Sequence, residues 1–395
     1  MQKFRQALKH YDFLLAFVTI ALSVFGVVMI YASVNADAIP PSITARWYWL
    51  WERQLLYVVS GALLMFVFSV IDYHWFTRFY LYVYGLMIVL LVVVMFIGAS
   101  EPGVSRWLWI RLPVVGALSM QPSEFAKLFM ILFLAKFLDL GKDRFNRPLW
   151  LILVLMLIAV PVAMVAVQPS FSASMVILSL SMVILFVGGL YYRTILVGLA
   201  MLSPIAAMTW LDVQRAYPIF LNRVLADWQI QRITTMIDPI PGSDAFMQTE
   251  GSLFAIGSGG LTGKGFLNNT YVILGQNDFI FSVVAEQFGF IGATALLAIV
   301  AFMIARCTLI ALRAGDMEGR LIAAGVAGML IFETFFHVGV VTNLLPNTGV
   351  PFPFMSYGGS MIWVHMIAMG IVLNVGLPRT KSMFDIDDDD DEVAL

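Results

Sequence analysis

Long apolar runs separated by short polar breaks fill almost the whole of this 395-residue chain. A helix needs about 20 apolar residues to cross a bilayer. Runs of that kind begin near Phe13, Leu55, Phe79, Glu124, Pro148, Phe171, Thr194, Phe279, Leu321 and Ser356. The pattern predicts an all-α, polytopic membrane protein of about ten transmembrane helices. One stretch breaks the rhythm. Between the seventh and eighth helices, from about Leu211 to Asn277, the chain turns polar, and it is too long to be a plain connector. Within this loop, Pro218 to Ile237 reads as an amphipathic helix lying on the membrane, and the rest shows few signs of compact structure. Residues 1 to 10 read as another surface helix.

Composition agrees with the pattern. Hydrophobic residues make up 61% and charged residues 12% of the chain, where soluble domains carry roughly 25% charged residues. The mean hydropathy is +0.89. Residues 1–383 therefore read as one membrane domain. Residues 384–395 hold the acidic run Asp385 to Glu392 and read as a disordered cytoplasmic tail; docking of a partner is the other reading of that run. The formal net charge of −2 matters less than where the charges lie. Lysines and arginines such as Lys3, Arg5, Lys9, Lys142, Arg144, Arg147 and Arg313 gather on one side, and the short loops of the other hold Arg46, Arg53, Arg106 and Arg111. The positive-inside rule then puts both termini in the cytoplasm and the long loop outside. Cys307 is the one cysteine, which excludes intrachain disulfides and a Cys-based metal site. The histidines His10, His74, His337 and His365 are scattered, with no HExxH spacing. The first apolar run, about Phe13 to Tyr31, lacks a small-x-small cleavage site and reads as a spanning helix.

Four clusters carry candidate chemistry. Asp278 sits alone at the start of the eighth helix, in Gly275-Gln276-Asn277-Asp278-Phe279-Ile280-Phe281. It reads as a helix N-cap or as a general base. Glu286 lies two helical turns on, roughly on the same face, and reads alternatively as the partner of a lysine or arginine elsewhere. Arg106-Trp107 and Gln121 to Lys127 mark the start of the fourth helix, where Lys127 lies within reach of Glu124. A structural ion pair and a polar pathway both fit that spacing. The glycine run Ile256 to Gly265 departs from a Walker loop, because Ser258 takes the first glycine position and Gly265 follows Lys264. Its backbone N–H groups could still cradle a pyrophosphate, with Lys264 neutralising it; a flexible turn is the plainer reading. Finally, Pro346 to Ser360 contains three prolines and Gly358-Gly359, so it predicts irregular backbone that protein buries or that lines a wet cavity.

In this order the clusters resemble the SEDS family (shape, elongation, division and sporulation), the group of RodA, FtsW and SpoVE. Arg106-Trp107, Gln121 to Lys127, Gln168-Pro169, Arg232 with Asp238-Pro239, Ile256 to Gly265, Asp278 to Gly292 and Thr348 to Ser360 carry the resemblance, which covers nearly the whole chain. It implies a peptidoglycan glycosyltransferase that polymerises lipid II on the outer leaflet beside a class B penicillin-binding protein. The family's essential aspartate falls on Asp278. Two departures stand out: Ser170 replaces an aspartate in Gln168-Pro169-Ser170-Phe171-Ser172, and His337 stands where asparagine is common.

The chemistry so implied is glycosyl transfer from a pyrophosphate leaving group. A carboxylate base should contribute roughly 10²–10⁴-fold, and Asp278 is the candidate. Arg106, Lys127, Arg223, Arg232 and Lys264 are the candidate cations for the leaving group, with Glu124, Glu286 and Ser356 completing the substrate-binding set. A divalent cation, magnesium or manganese, is a candidate helper, although no dedicated metal cluster is visible in the sequence. Lipid II, membrane lipids and the penicillin-binding protein are the expected partners, and nucleic acid is not. Two rival readings remain: a flippase of lipid-linked precursors, which would need charges deep in the bundle such as Glu333, and a non-catalytic scaffold, which the loss of the aspartate at Ser170 would suit.

Overall fold

The computed structural model describes residues 11–35, 47, 49–98, 107–112, 116–144, 147–168, 170–194, 227–240, 242–243, 246–270 and 272–377. The helices, in chain order, are α1 (Phe13–Asn35), α2 (Leu50–Val70), the short α3 (Tyr73–Thr77), α4 (Tyr80–Ile97), α5 (Pro122–Leu140), α6 (Pro148–Val167) and α7 (Phe171–Val187). After the long polar stretch come α8 (Asp227–Ile237), α9 (Met247–Gly259), α10 (Ile280–Arg313), α11 (Met317–Val341) and α12 (Gly359–Val375). The helix predicted from Thr194 falls almost wholly outside the described residues, as do residues 1 to 10, the acidic tail and the first part of the helix predicted from Pro218.

Among the described residues, α1, α2, α4, α6, α10 and α11 are long and apolar enough to cross a membrane, and α7 and α12 are shorter apolar helices. Helix α5 has the length, but it carries Glu124, Lys127, Lys136 and Asp139. The outward faces of α4 and α6 are apolar, with Phe96 and Leu149 each 84% exposed. Such surfaces suit lipid and not water. Helix α12 lies at the centre, buried along nearly its whole length, and packs along α2. Polar pins hold that pair: Trp363 Nε1 donates to Ser60 Oγ at 2.9 Å, and Asn374 Nδ2 donates to the Ser69 carbonyl at 3.0 Å. Helix α11 packs against α7, α10 and α5. At one end of the bundle Lys136 pairs with Glu318 at 2.7 Å, and Arg306 pairs with Asp12 at 2.6 Å.

One element departs from the all-α pattern. Strands β1 (Leu108–Leu112) and β2 (Gly116–Met120) form an antiparallel hairpin ahead of α5, with Leu108 opposite Met120. Five-residue strands are too short to stand out against the apolar runs around them.

Helix α10 is broken near its start. Its 34 residues would run about 50 Å unbroken, against a hydrocarbon core of about 30 Å. Gly289, at φ 65° and ψ −165°, interrupts it. Only glycine adopts that backbone without strain. The break strands backbone groups, and the glycine run takes them up. Phe290 N donates to the Gly260 carbonyl at 2.9 Å and Ile291 N to that of Leu261 at 3.1 Å. In return, Lys264 N donates to the Glu286 carbonyl at 2.9 Å and Gly265 N to that of Gln287 at 3.0 Å. The N–H groups of Lys264 and Gly265, read from the sequence as part of a pyrophosphate cradle, are thus taken up by the broken helix.

The described part of the long polar stretch is also better folded than its composition suggests. Ser252 of α9 is fully buried, 2.5 Å from Ser282 Oγ, and donates to the Val341 carbonyl at 2.8 Å. These bonds dock α9 on both α10 and α11. The sequence hides this because the contacts are tertiary and α9 has no pronounced apolar stripe.

Gly289→Ala is expected to destabilise the protein by on the order of 1–3 kcal/mol, since a Cβ there would stand 2.3 Å from Gly263 N. Gly251→Ala, within α9 with nothing within 4 Å of its Cβ position, should be neutral or slightly stabilising. Melting curves of both variants in detergent check the pair.

Candidate active site

Asp278 lies in the turn ahead of α10, and Phe279 holds the capping position. The N-cap reading therefore gives way, because Asp278 stands one residue too early. It also follows that helical spacing does not relate Asp278 to Glu286. What fixes Asp278 is the proline-rich segment. Ser356 Oγ donates to the Asn277 carbonyl at 2.5 Å and accepts from Phe352 N at 2.8 Å. Tyr357 N donates to the Gln276 carbonyl at 2.9 Å, and the rings of Phe281 and Phe352 stack at 6.1 Å. Gly349 packs directly on the carboxylate. Its φ is +70°, and a Cβ there would lie 3.0 Å from Asp278 Oδ2. Gln54 of α2 ties the same segment to the bundle, donating to the Ser356 carbonyl and accepting from Gly358 N, both at 3.1 Å.

Arg232, on α8, donates from Nη1 to the Asn347 carbonyl at 2.7 Å. Its partial burial lowers its pKa below the usual arginine value, and attraction to the Asp278 carboxylate opposes that shift. An arginine remains a cation under both influences.

Asp278 opens on a cavity of about 240 Å³, also lined by Trp107, Glu124, Lys127, Ser170, Ser172, Gly349, Tyr357 and Ser360. The serine that replaces the expected aspartate thus stands at the wall, and its neighbour Ser172 donates to the Thr348 carbonyl at 3.0 Å. Lys127 is 2% exposed and touches two carboxylates, Glu124 at 2.7 Å and Glu333 at 2.6 Å. Glu333 in turn meets His365 Nε2 at 2.5 Å. The simple Glu124–Lys127 pair expected at a helix end is therefore part of a larger buried cluster. Ser360 fastens the start of α5 to α12 by accepting from Gln121 N at 2.9 Å.

The other candidate residues divide. Arg106 and Arg223 lie outside the described residues. Lys264 and Glu286 are described but do not line the cavity. Instead Lys264 Nζ pairs with Glu286 at 2.5 Å, and the buried carboxylate also accepts from Thr270 N and Thr270 Oγ1, both at 3.0 Å. Their expected place in one site with Asp278 is corrected: they form a separate cluster bracing the break in α10. Sequence reasoning missed His365 and Gly349, and gave Glu333 no partner. A signal existed for two of them. A lysine at membrane depth needs counter-charge, and Glu333 and His365 are ionisable residues within apolar runs. The role of Gly349 had no local signal.

Among the described residues, no three His, Cys, Asp or Glu side chains converge to hold a metal ion.

The fold and the cavity define a polytopic membrane protein with a polar cavity built from helix ends and an irregular proline-rich segment. The family of cell cycle proteins formed by FtsW, RodA and SpoVE matches residues 12–381. The chain belongs to that family. The probable peptidoglycan glycosyltransferase FtsW of Geobacter sp. (strain M18) is 33% identical over 380 residues, which is 92% of this chain and 96% of that protein. The peptidoglycan glycosyltransferase MrdB of Escherichia coli (strain K12) is 32% identical over 381 residues, or 94% of each chain. A chain of a solved peptidoglycan synthase complex that coordinates polymerization and crosslinking superposes with a TM-score of 0.74 at 29% identity, over 93% of this chain and 97% of that one. The rod shape determining protein RodA of Thermus thermophilus superposes with a TM-score of 0.65, also at 29% identity, over 93% and 96%.

Gly349→Ala should impair catalysis more than folding. The added methyl crowds Asp278 Oδ2, and the positive φ is strained for alanine at a cost of about 1–3 kcal/mol. Turnover is expected to fall about tenfold or more, because small displacements of a catalytic group are costly. Turnover and melting, measured together on one preparation, separate the two effects.

Proposed function

We propose that the chain is a peptidoglycan glycosyltransferase that polymerises lipid II, with Asp278 as the general base. The observation that carries this reading is the Asp278 carboxylate, held against Gly349 at a polar cavity that also presents Lys127. Relatives similar to the chain from end to end carry the name of that activity.

In the reaction, the 4-hydroxyl of one sugar attacks the anomeric carbon of another. Its proton passes to an Asp278 oxygen as the new C–O bond forms, and the bond to the pyrophosphate breaks with its electron pair leaving on the phosphate. A hydroxyl is a weak nucleophile, and proton removal by a positioned base is worth roughly 10²–10⁴-fold. Negative charge develops on the leaving group, where Arg232 beside Asp278 and Lys127 in the cavity wall can offset it. The polyprenyl tail stays in lipid, against apolar helix faces.

The bias of lysine and arginine among the loops supports cytoplasmic termini and an outward-facing Asp278. A class B penicillin-binding protein fits as partner, since the solved peptidoglycan synthase complex combines polymerization with crosslinking. Such a partner would raise activity by binding the organised form of the long loop best.

Asp278→Asn keeps size and polarity but accepts no proton, so polymerisation of labelled lipid II should fall by at least about 100-fold while melting stays near wild type. Near wild-type polymer yield would sink the base assignment. Co-purification with the cognate penicillin-binding protein should raise the turnover of the chain; equal turnover with and without it counts against the partner.

A further inference from the structure

The cluster behind Lys127 contains more ionisable groups than a helix-end brace needs. Lys127 reaches in from α5, Glu333 from α11 and His365 from α12, and Glu333 and His365 are fully buried. Only Lys127 and its neighbour Glu124 reach the cavity. Two carboxylates against one ammonium would leave a net charge of −1 in the protein interior. That surplus would face a substrate that is itself an anion.

His365 removes the surplus. Its Nδ1 lies 2.8 Å from the Met361 carbonyl, which can only accept, so Nδ1 carries a hydrogen. Its Nε2 lies 2.5 Å from Glu333 Oε2. One proton must sit between these two atoms. With the proton on the ring the pair is imidazolium and carboxylate; with the proton on the oxygen it is imidazole and carboxylic acid. Both descriptions carry zero net charge. Glu124 and Lys127 then balance each other, and the whole cluster is neutral. The ring is held from the proline-rich segment by Phe354, edge to face at 5.1 Å. An ammonium has three donors, and Glu124 and Glu333 take two. Among the described residues no hydrogen bond takes the third, which leaves it for an anion in the cavity.

We infer that Glu333 and His365 are positioning residues for the transfer reaction: together they hold Lys127 at the cavity wall within a charge-neutral cluster, so that its ammonium serves the pyrophosphate of the substrate. This inference rests on the reading of the Asp278 cavity as the site of transfer from a pyrophosphate. It makes charge balance, and not the presence of either side chain, the quantity that matters.

The test uses the full-length protein with its cognate penicillin-binding protein and measures kcat and KM for lipid II in four variants. His365→Gln leaves one uncompensated carboxylate, so KM should rise about tenfold or more, with a smaller change in kcat. Glu333→Gln removes one negative charge and leaves a neutral imidazole at His365, with its amide oxygen still able to accept from Lys127, so KM should stay within about threefold of wild type. The double variant Glu333→Gln with His365→Gln is neutral again and keeps hydrogen-bonding groups on both sides, so it should recover KM to within about threefold of wild type. A packing role predicts the opposite order, with the double variant worse than either single one. Should His365→Gln fail to fold, recovery of folding and KM in the double variant still supports charge balance. Wild-type KM in His365→Gln, or a double variant no better than His365→Gln alone, overturns the inference. Asp278→Asn is the fourth variant and keeps the two readings apart. If it polymerises normally, the base assignment fails; if it is inactive while the charge series shows no pattern, only the present inference fails.

Discussion

A backbone N–H or C=O without a partner inside a bilayer costs several kcal/mol, because no water can replace the missing bond. Unbroken helices meet that constraint locally. This protein breaks the rule at two neighbouring places, and each break is satisfied by a distant segment. At Gly289 the stranded groups of α10 pair with the glycine run that follows α9. At the proline-rich segment before α12, Ser356, Tyr357 and Gln54 supply the bonds that a helix would have made. The turn that bears Asp278 lies between these repairs. Its position is thus over-determined, as a site that must hold one carboxylate in place requires.

The second demand is electrostatic. A lysine at membrane depth is tolerated only with opposing charge close by. Here the opposing charge comes from Glu124 on α5 and Glu333 on α11, and His365 on α12 meets Glu333, so the cluster also records how α5, α11 and α12 are packed. A buried ion pair is weak evidence for stability, because desolvation offsets much of its attraction. Its place on the wall of the cavity is the better reason for keeping it. The Lys264–Glu286 pair is the contrast: it lies away from the cavity, with the lysine 31% exposed, and it braces the break in α10.

Charge distribution also bears on the choice between transferase and flippase. Among the described residues, the buried groups Lys127, Glu333 and His365 form one cluster at the Asp278 cavity. Among the described residues that arrangement suits a reaction at one end of the bundle. Together with relatives named for glycosyl transfer, it favours the enzyme over the transporter.

The apolar runs by themselves determined that the chain is helical and crosses a membrane many times, because bilayer thickness and backbone pairing leave few other solutions. The motifs were legible too: Asp278, Ser356 and Arg232 were singled out, and the structure brings all three to the proline-rich segment and the turn before α10. Only the tertiary structure could separate the Lys264–Glu286 brace from the Asp278 cavity, since sequence spacing put Asp278 and Glu286 on one helix face, whereas Asp278 lies in the turn ahead of α10 and only Glu286 lies within it. Gly349 was illegible for the same reason: its need to be glycine comes from a carboxylate 71 residues away in the chain. His365 belongs with Lys127 and Glu333 because three helices converge, and no local pattern encodes that convergence. Periodicity reports which solvent a helix meets, whereas a site depends on which helices meet each other.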